Sequence, residues 1–314
     1  MFGLLLGSVQ KVCEAYGLKK AKTFMTSYVQ FFPHSAHWLR FVDGLYRFHV
    51  GEAPPVEMIR SKFLRGYYSR KLTPTRRLAL LTSHYDVVES YFRQDIVAKI
   101  LSGTPLLLST LCGKSGETYS LSLCHDEWFR FEGELTVFLH RDSDQQVLSA
   151  VTFTMQFTPR RQIVIRIGGL QGPSCAGAKD MVVQATKDLS GARPKSVVVD
   201  GLFAIAGMLG ATQIEAVNLG NHPLKDVNHR LVADNDAFWE EMATGRAASG
   251  EYTLPVSRPS RRLEDVAAKK RKDWLVRERM KAEARTAIRH RVRSWMRYLE
   301  DAEEVTTALA IAAE

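Results

Sequence analysis

Between Pro105 and Gly168 the chain passes through five short stretches in which apolar and polar residues alternate: "PLLLSTL", "ETYSLSLC", "EWFRFEGELTVFLH", "VLSAVTFTMQF" and "QIVIRIG". Period-two alternation puts one set of side chains on a core face and the other on the opposite face, which commits these stretches to a sheet. The separators are short clusters of Gly, Asp and Ser, too short for crossover helices. The strands therefore form an antiparallel meander. "HRDSDQQ" (140–146) and "TPRRQ" (158–162) are its clearest hairpin turns.

The last strand runs into "IRIGGLQGP" (165–173) and then "SCAGAKDMVVQATKDL", where a helical pattern begins. Glycine weakens a strand unless the backbone turns sharply or approaches something closely. Two readings stand side by side: a tight strand-to-helix turn, or a loop shaped for a ligand. In the second, backbone N–H groups of Gly168, Gly169 and Gly172 beside the positive end of the following helix would seat an anion such as a pyrophosphate. Gln171 is a binding candidate in the same loop.

Around the meander the pattern is helical. In "TPTRRLALLTSHYDVVESYF", Thr73 is a plausible N-cap and Pro74 suits the first helical position. Its His84, on the apolar face, reads as a base or as a packed, hydrogen-bonded core histidine. In "FFPHSAHWLRFVDGLY", Pro33 and Ser35 read as a stop and a new start. After the glycine stretch come two helices, "AKDMVVQATKDLSG" and "RPKSVVVDGLFAIAGMLG", and a strand over Gln213–Val217. The chain divides into a mainly helical region (1–104), an α+β core (105–255) and a basic amphipathic helix with tail (256–314). The fold class is α+β.

The formal net charge of +9 is concentrated from Arg258 onward. Met280, Ala284, Ile288, Val292 and Met296 step by four there, an apolar stripe on a long helix whose other face is Arg and Lys. Such a helix docks its stripe on the domain, or lies on anionic lipid with Trp274 and Trp295 as anchors, or contacts nucleic-acid phosphates. No helix-turn-helix or RRM-like signature accompanies the charge, so nucleic acid is the least favoured partner. Cys13, Cys112, Cys124 and Cys175 show no framework spacing and read as reduced thiols. "MFGLLLGSVQK" is too short and lacks a basic flank for a signal peptide, and no window is apolar enough to span a membrane. These features predict a cytoplasmic location, with peripheral contact to the inner membrane through the basic helix. "TALAIAAE" reads as a frayed tail.

Catalytic candidates are few. Glu132 and Glu134 lie two apart and so share a strand face, where paired carboxylates raise each other's pKa and suit a general base, or simply face water. Asn218, Asn221 and His222 follow the strand "QIEAV", with Asn218 a ligand-binding and His222 a catalytic candidate. Lys187 and Arg193 flank a helix end, suiting either an acidic ligand or the helix dipole. Phe238 and Trp239 read as a lid or as core. No zinc pattern, P-loop, GxSxG or HExxH occurs, and no metal site is predicted.

The meander, glycine loop and helix are similar in arrangement to acyl-CoA N-acyltransferases, whose loop reads Q/R-x-x-G-x-G/A; here "QGPSCAG" keeps Gln171, Gly172 and Gly177 at a different spacing. The ordered words "HY" (84–85), "EGEL" (132–135), "IGGLQG" (167–172), "TKDLSGARPK" (186–195), "NHP" (221–223) and "FW" (238–239) resemble the VirK/YbjX family of Gram-negative bacterial proteins over roughly residues 35–300. Where that family reads G-L-R-P-K, this chain has Gly191-Ala192-Arg193-Pro194-Lys195. The resemblance implies a role in virulence, in lipopolysaccharide or surface-protein integrity and in antimicrobial-peptide tolerance, with no established reaction. Two expectations follow: an acyltransferase using an acyl-CoA or acyl-carrier-protein donor, or a non-enzymatic module that meets an anionic lipid surface or an envelope protein through its basic helix.

Overall fold

A computed structural model describes residues 9–10, 13–14, 17–30, 34–51, 62–64, 66–225, 234–257 and 262–297. The alternating stretches form β1 (Leu106–Cys112), β2 (Thr118–Cys124), β3 (Leu135–Arg141), β4 (Gln146–Phe157) and β5 (Ile163–Gln171), each antiparallel to the next. Then β6 (Gln213–Ala216) pairs with β5 in parallel, and β7 (Gly245–Arg246) and β8 (Tyr252–Leu254) complete an eight-stranded sheet in the order β1-β2-β3-β4-β5-β6-β8-β7. The two hairpin turns fall at 140–146 and 158–162 as the sequence predicts, with Gln145 and Arg161 in the left-handed region.

The helices are α1 (Leu18–Gln30), α2 (His34–His49), α3 (Pro74–Tyr91), α4 (Gln94–Leu101), α5 (Ala178–Asp188), α6 (Pro194–Met208), α7 (Asp236–Glu240) and α8 (Arg271–Trp295). Thr73 caps α3, its side chain accepting from the Arg76 N–H, with Pro74 next. The valine-rich α6 is a helix because Pro194 starts it and because it is buried nearly all round, Val197, Val198 and Val199 included. Burial outweighs the weak helix preference of β-branched residues.

Alternation along β4 sends Val151 and Phe153 to one face and Thr152 and Thr154 to the other. The first face packs on α6, where Gly201 sits against Val137, Leu121 and Ile288. The second face meets the segment before α3, where Tyr67 hydrogen-bonds Thr154 at 2.7 Å. β4 runs past the end of β3, whose ladder stops at Leu135 opposite Phe153, so the N–H groups of Met155 and Phe157 are met by helix side chains instead. His84 Nδ1 accepts from Met155 N at 3.1 Å and Ser83 Oγ from Phe157 N at 2.8 Å. His84 is therefore a core residue that closes a sheet edge.

One hydrophobic core joins all three sequence regions, from Trp38 and Tyr85 through Val151 and Ile165 to Ile288 and Val292. The stripe on α8 is docked: Ala284, Ile288 and Val292 are buried against α6 and β1. Trp295 is 8% exposed and so cannot serve as a lipid anchor, while Trp274 stays half-buried. The four cysteines form no disulfide. Pro33 and the tail "TALAIAAE" lie outside the described residues.

Candidate functional site

The register of β4 and β5 carries a bulge. Thr152 faces Gly169 and Phe153 faces Ile167, leaving Gly168 as the extra residue on β5. Over this bulge lies the turn that leads into β3, held by Glu134 N donating to Phe153 O at 3.0 Å. A Cβ on Gly168 would stand 1.8 Å from the Glu132 carbonyl oxygen, and one on Gly169 would stand 1.8 Å from Glu132 Oε2. Both glycines are thus accounted for by close approach. This corrects the two loop readings. Gly168 and Gly169 lie inside a strand, and Gly169 belongs to the ladder with β4; of the three glycines only Gly172 is in the loop before α5.

Glu132 and Glu134 precede β3 rather than sharing a face of it, and they sit in separate surroundings. The Glu132 carboxylate is buried. Its Oε1 accepts from Gln171 Nε2 at 2.9 Å and lies 3.3 Å from His222 Nε2. The His222 contact lacks hydrogen-bond alignment. His222 Nδ1 accepts from Leu224 N at 3.2 Å, so the neutral ring carries its proton on Nε2, toward Glu132. Oε2 of Glu132 has no hydrogen-bond partner among the described residues. Gln171, Glu132 and His222, chosen from three distant parts of the sequence, meet here.

Glu134 is bound into a different cluster. Lys62 Nζ lies 2.6 Å from Oε1, and the Tyr85 hydroxyl donates to Oε2 at 2.6 Å. His125 Nδ1 contacts the Glu134 carbonyl oxygen at 2.8 Å. Burial alone would raise the Glu134 carboxyl, but the Lys62 ammonium, with His125 and His84 further off, outweighs it and brings the group down to about 2. The expectation of two carboxylates raising each other is therefore corrected. Burial draws the Lys62 ammonium down, and the Glu134 carboxylate opposes that. Lys62 and Tyr67 were not among the sequence candidates; they lie in a stretch without periodicity, and no signal marks them.

β5 and β6 pair only from Val164/Gln213 to Ile167/Ala216, after which they diverge. A narrow cleft opens between their ends, bordered by Gly168, Gly169, Leu170, Val217, His222 and Trp239, with room for about one water. Asn235 closes one side, donating to Leu170 O at 2.8 Å and accepting from Lys195 Nζ at 2.6 Å. Trp239 is buried core, as one of its two readings had it. Asn218 is engaged in turn structure: Oδ1 accepts from Asn221 N at 3.0 Å and Nδ2 donates to Gly250 O at 2.9 Å. Lys187 and Arg193 lie elsewhere, in a groove beside the start of α8.

The profile of a family described as "Protein of unknown function (DUF535)" matches residues 51–290. The chain belongs to the DUF535 family. Consistent with the VirK/YbjX resemblance, it is 29% identical over 216 residues to the uncharacterized protein YbjX of Escherichia coli K12, covering 67% of this chain and 64% of that protein. A second relative, an uncharacterized protein of Haemophilus influenzae, is 26% identical over 213 residues, covering 66% of this chain and 68% of that protein. The chain thus spans under two thirds of the E. coli relative's length. Among solved structures, a mutant of the cAMP-binding acyltransferase from Mycobacterium smegmatis superposes with a TM-score of 0.28 and 9% identity, over 71% of this chain and 63% of that one. A likeness of that size carries no inference for the DUF535 chain. Among the described residues no helix is long and apolar enough to cross a membrane, and no group of three or more His, Cys, Asp or Glu could hold a metal ion.

Proposed function

We propose that the protein is an acyl-transfer enzyme in which Glu132 is the general base. The observation that carries this reading is Oε2 of buried Glu132, which has no hydrogen-bond partner among the described residues and lies where a Gly169 side chain would begin, beside the cleft at the diverging ends of β5 and β6. The carboxyl ends of a parallel strand pair, where the chain changes direction across a sheet, are where ligands enter α/β architectures. Oε1 is held by Gln171 and faces His222, so Oε2 is the atom free to take a proton.

In the reaction, an acceptor amine or hydroxyl attacks the carbonyl carbon of an acyl thioester. Its proton passes to Glu132, the new C–N or C–O bond forms, the C–S bond breaks, and the thiolate leaves and is protonated. The narrowness of the cleft means that Trp239 on α7 has to shift for a donor to enter. The donor is an acyl-CoA or an acyl-carrier protein, and the acceptor belongs to the Gram-negative envelope, in keeping with the virulence, envelope-integrity and peptide-tolerance roles that the VirK/YbjX resemblance implies. The work is done in the cytoplasm, next to the inner membrane. A panel of acyl-CoA and acyl-carrier-protein donors tests this: a binding donor raises the melting temperature by mass action. No shift with any donor would remove the reading.

A second reading rests on the outer face of α8, where Arg285, Arg289, Arg291 and Arg293 are exposed. Here the protein is a non-enzymatic module that meets anionic lipid at the inner-membrane surface or an envelope protein. With the stripe docked, the exposed face from Arg285 to Arg293 offers charge for that contact, while exposed Leu275 and Val276 lie at the start of the helix. Sedimentation with anionic vesicles should then vanish in raised salt and in an Arg285→Glu/Arg289→Glu variant; salt-independent sedimentation would contradict it.

A further inference from the structure

Apart from the described cleft, a groove of about 790 Å³ opens between the end of α5, the β1–β2 turn and the start of α8. Its cations come from four separate places in the fold. Lys114 lies in the turn, Lys187 near the end of α5, Arg193 at the cap of α6, and Lys270 and Arg277 at and just inside the start of α8. The half-buried indole of Trp274 supplies a flat apolar wall.

The two carboxylates in the groove are already engaged. Asp273 pairs with Lys114 at 2.8 Å, and Asp265 accepts from its own turn at Arg262 N, 3.3 Å away. Arg193 has only a loose contact with Glu241 at 4.0 Å, both side chains being more than half exposed. Lys187 and Lys270 have no acidic partner among the described residues. Arg277 lies against Gly191, whose φ is +85°, and a Cβ there would come within 3.2 Å of its Nη1. The glycine thus both makes the turn after α5 and leaves the guanidinium its place at the groove wall. Arg277 also has Glu278 beside it, at 3.6 Å, so the cations left with little or no carboxylate against them are Lys187, Lys270 and Arg193, and they give the groove a positive field that draws an anion.

We propose that this groove binds a ligand carrying a diphosphate, with a planar or apolar group against Trp274. One phosphate would leave most of these cations unmatched, whereas a diphosphate reaches several, with Arg277 and Arg193 as forked donors. The proposal stands on the groove alone and does not depend on acyl transfer at Glu132. A free nucleotide and a lipid headgroup share this chemistry.

The test titrates the full chain with inorganic pyrophosphate and ADP, and separately with phosphatidylcholine vesicles with and without phosphatidic acid. The readouts are calorimetry and tryptophan fluorescence, with Trp274→Phe to assign the optical signal. Saturable binding is expected, weakened about tenfold or more in Lys187→Glu/Lys270→Glu, because each reversal turns an attraction into a repulsion. Both positions are exposed, so the variant's melting temperature should match the wild type. Binding to phosphatidic-acid vesicles alone, lost in the same variant, would support the proposal with a lipid headgroup as the source. It is overturned if neither the soluble probes nor the vesicles bind, or if the double reversal leaves affinity unchanged.

Discussion

Oε2 of Glu132 lies 1.8 Å from the point where a Gly169 side chain would begin, while the Glu132 carbonyl oxygen stands equally close to the corresponding point on Gly168. One clash is with a side chain and the other with backbone, so the two alanine substitutions should behave differently. Gly169→Ala displaces the carboxylate and its bond to Gln171, and should cost about 1–3 kcal/mol. Adding Glu132→Ala should recover much of that. Gly168→Ala should cost at least as much and not be rescued by Glu132→Ala. Urea denaturation of the five proteins checks this, and equal rescue at both positions would contradict the close approach.

The Lys62–Glu134 pair is buried on both sides, each side chain being 1% exposed. Lys62→Met leaves a carboxylate in the core without its cation and should destabilise by about 3–5 kcal/mol. Lys62→Met/Glu134→Gln removes both charges while keeping an acceptor for the Tyr85 hydroxyl, and should be milder than the single change. A double variant as unstable as the sum of its parts would rule out coupling.

Acid should destabilise the protein in two stages. His84 is held by burial down to about 3 from its usual 6.5, and burial also lowers His125 and His140. Between those values the unfolded chain takes up protons that the folded chain refuses, so stability falls as pH drops below 6.5. Glu134, lowered from 4.5 to about 2, adds a second loss as pH falls through that range. Melts across this span should be steeper below 4.5, and Glu134→Gln should flatten that lower part. An unchanged slope in the variant would contradict the assignment.

The α8 stripe should matter to folding. Ile288→Ala empties a site that is 1% exposed and should cost about 2–5 kcal/mol, whereas Arg289→Glu on the outer face should stay within about 0.5 kcal/mol. Equal and small effects at both positions would mean that the helix is not docked.

The meander was legible because period-two alternation directly imprints one buried face, and Pro194 and Pro74 marked helix starts by their own geometry. The glycines were not legible in the same way. Their partner, Glu132, arrives from another strand connection, and a glycine pair in sequence does not say what fills its missing side chains. The sequence did bring Gln171, Glu132 and His222 forward, but it also grouped them with Lys187 and Arg193, which the fold carries to a separate groove. Lys62 escaped notice because a buried lysine looks like a surface lysine until its carboxylate is found.

Glu132 as the base is the central claim, and donor consumption tests it most directly. Thioester loss and binding should be followed with acyl-CoA and acyl-carrier-protein donors, with free CoA as the control for phosphate contacts alone. Wild type and Glu132→Gln should bind the donor alike, while turnover in the variant falls about 10²- to 10⁴-fold. A variant that turns over as fast as wild type, or a wild type that binds and consumes no donor, would contradict the claim.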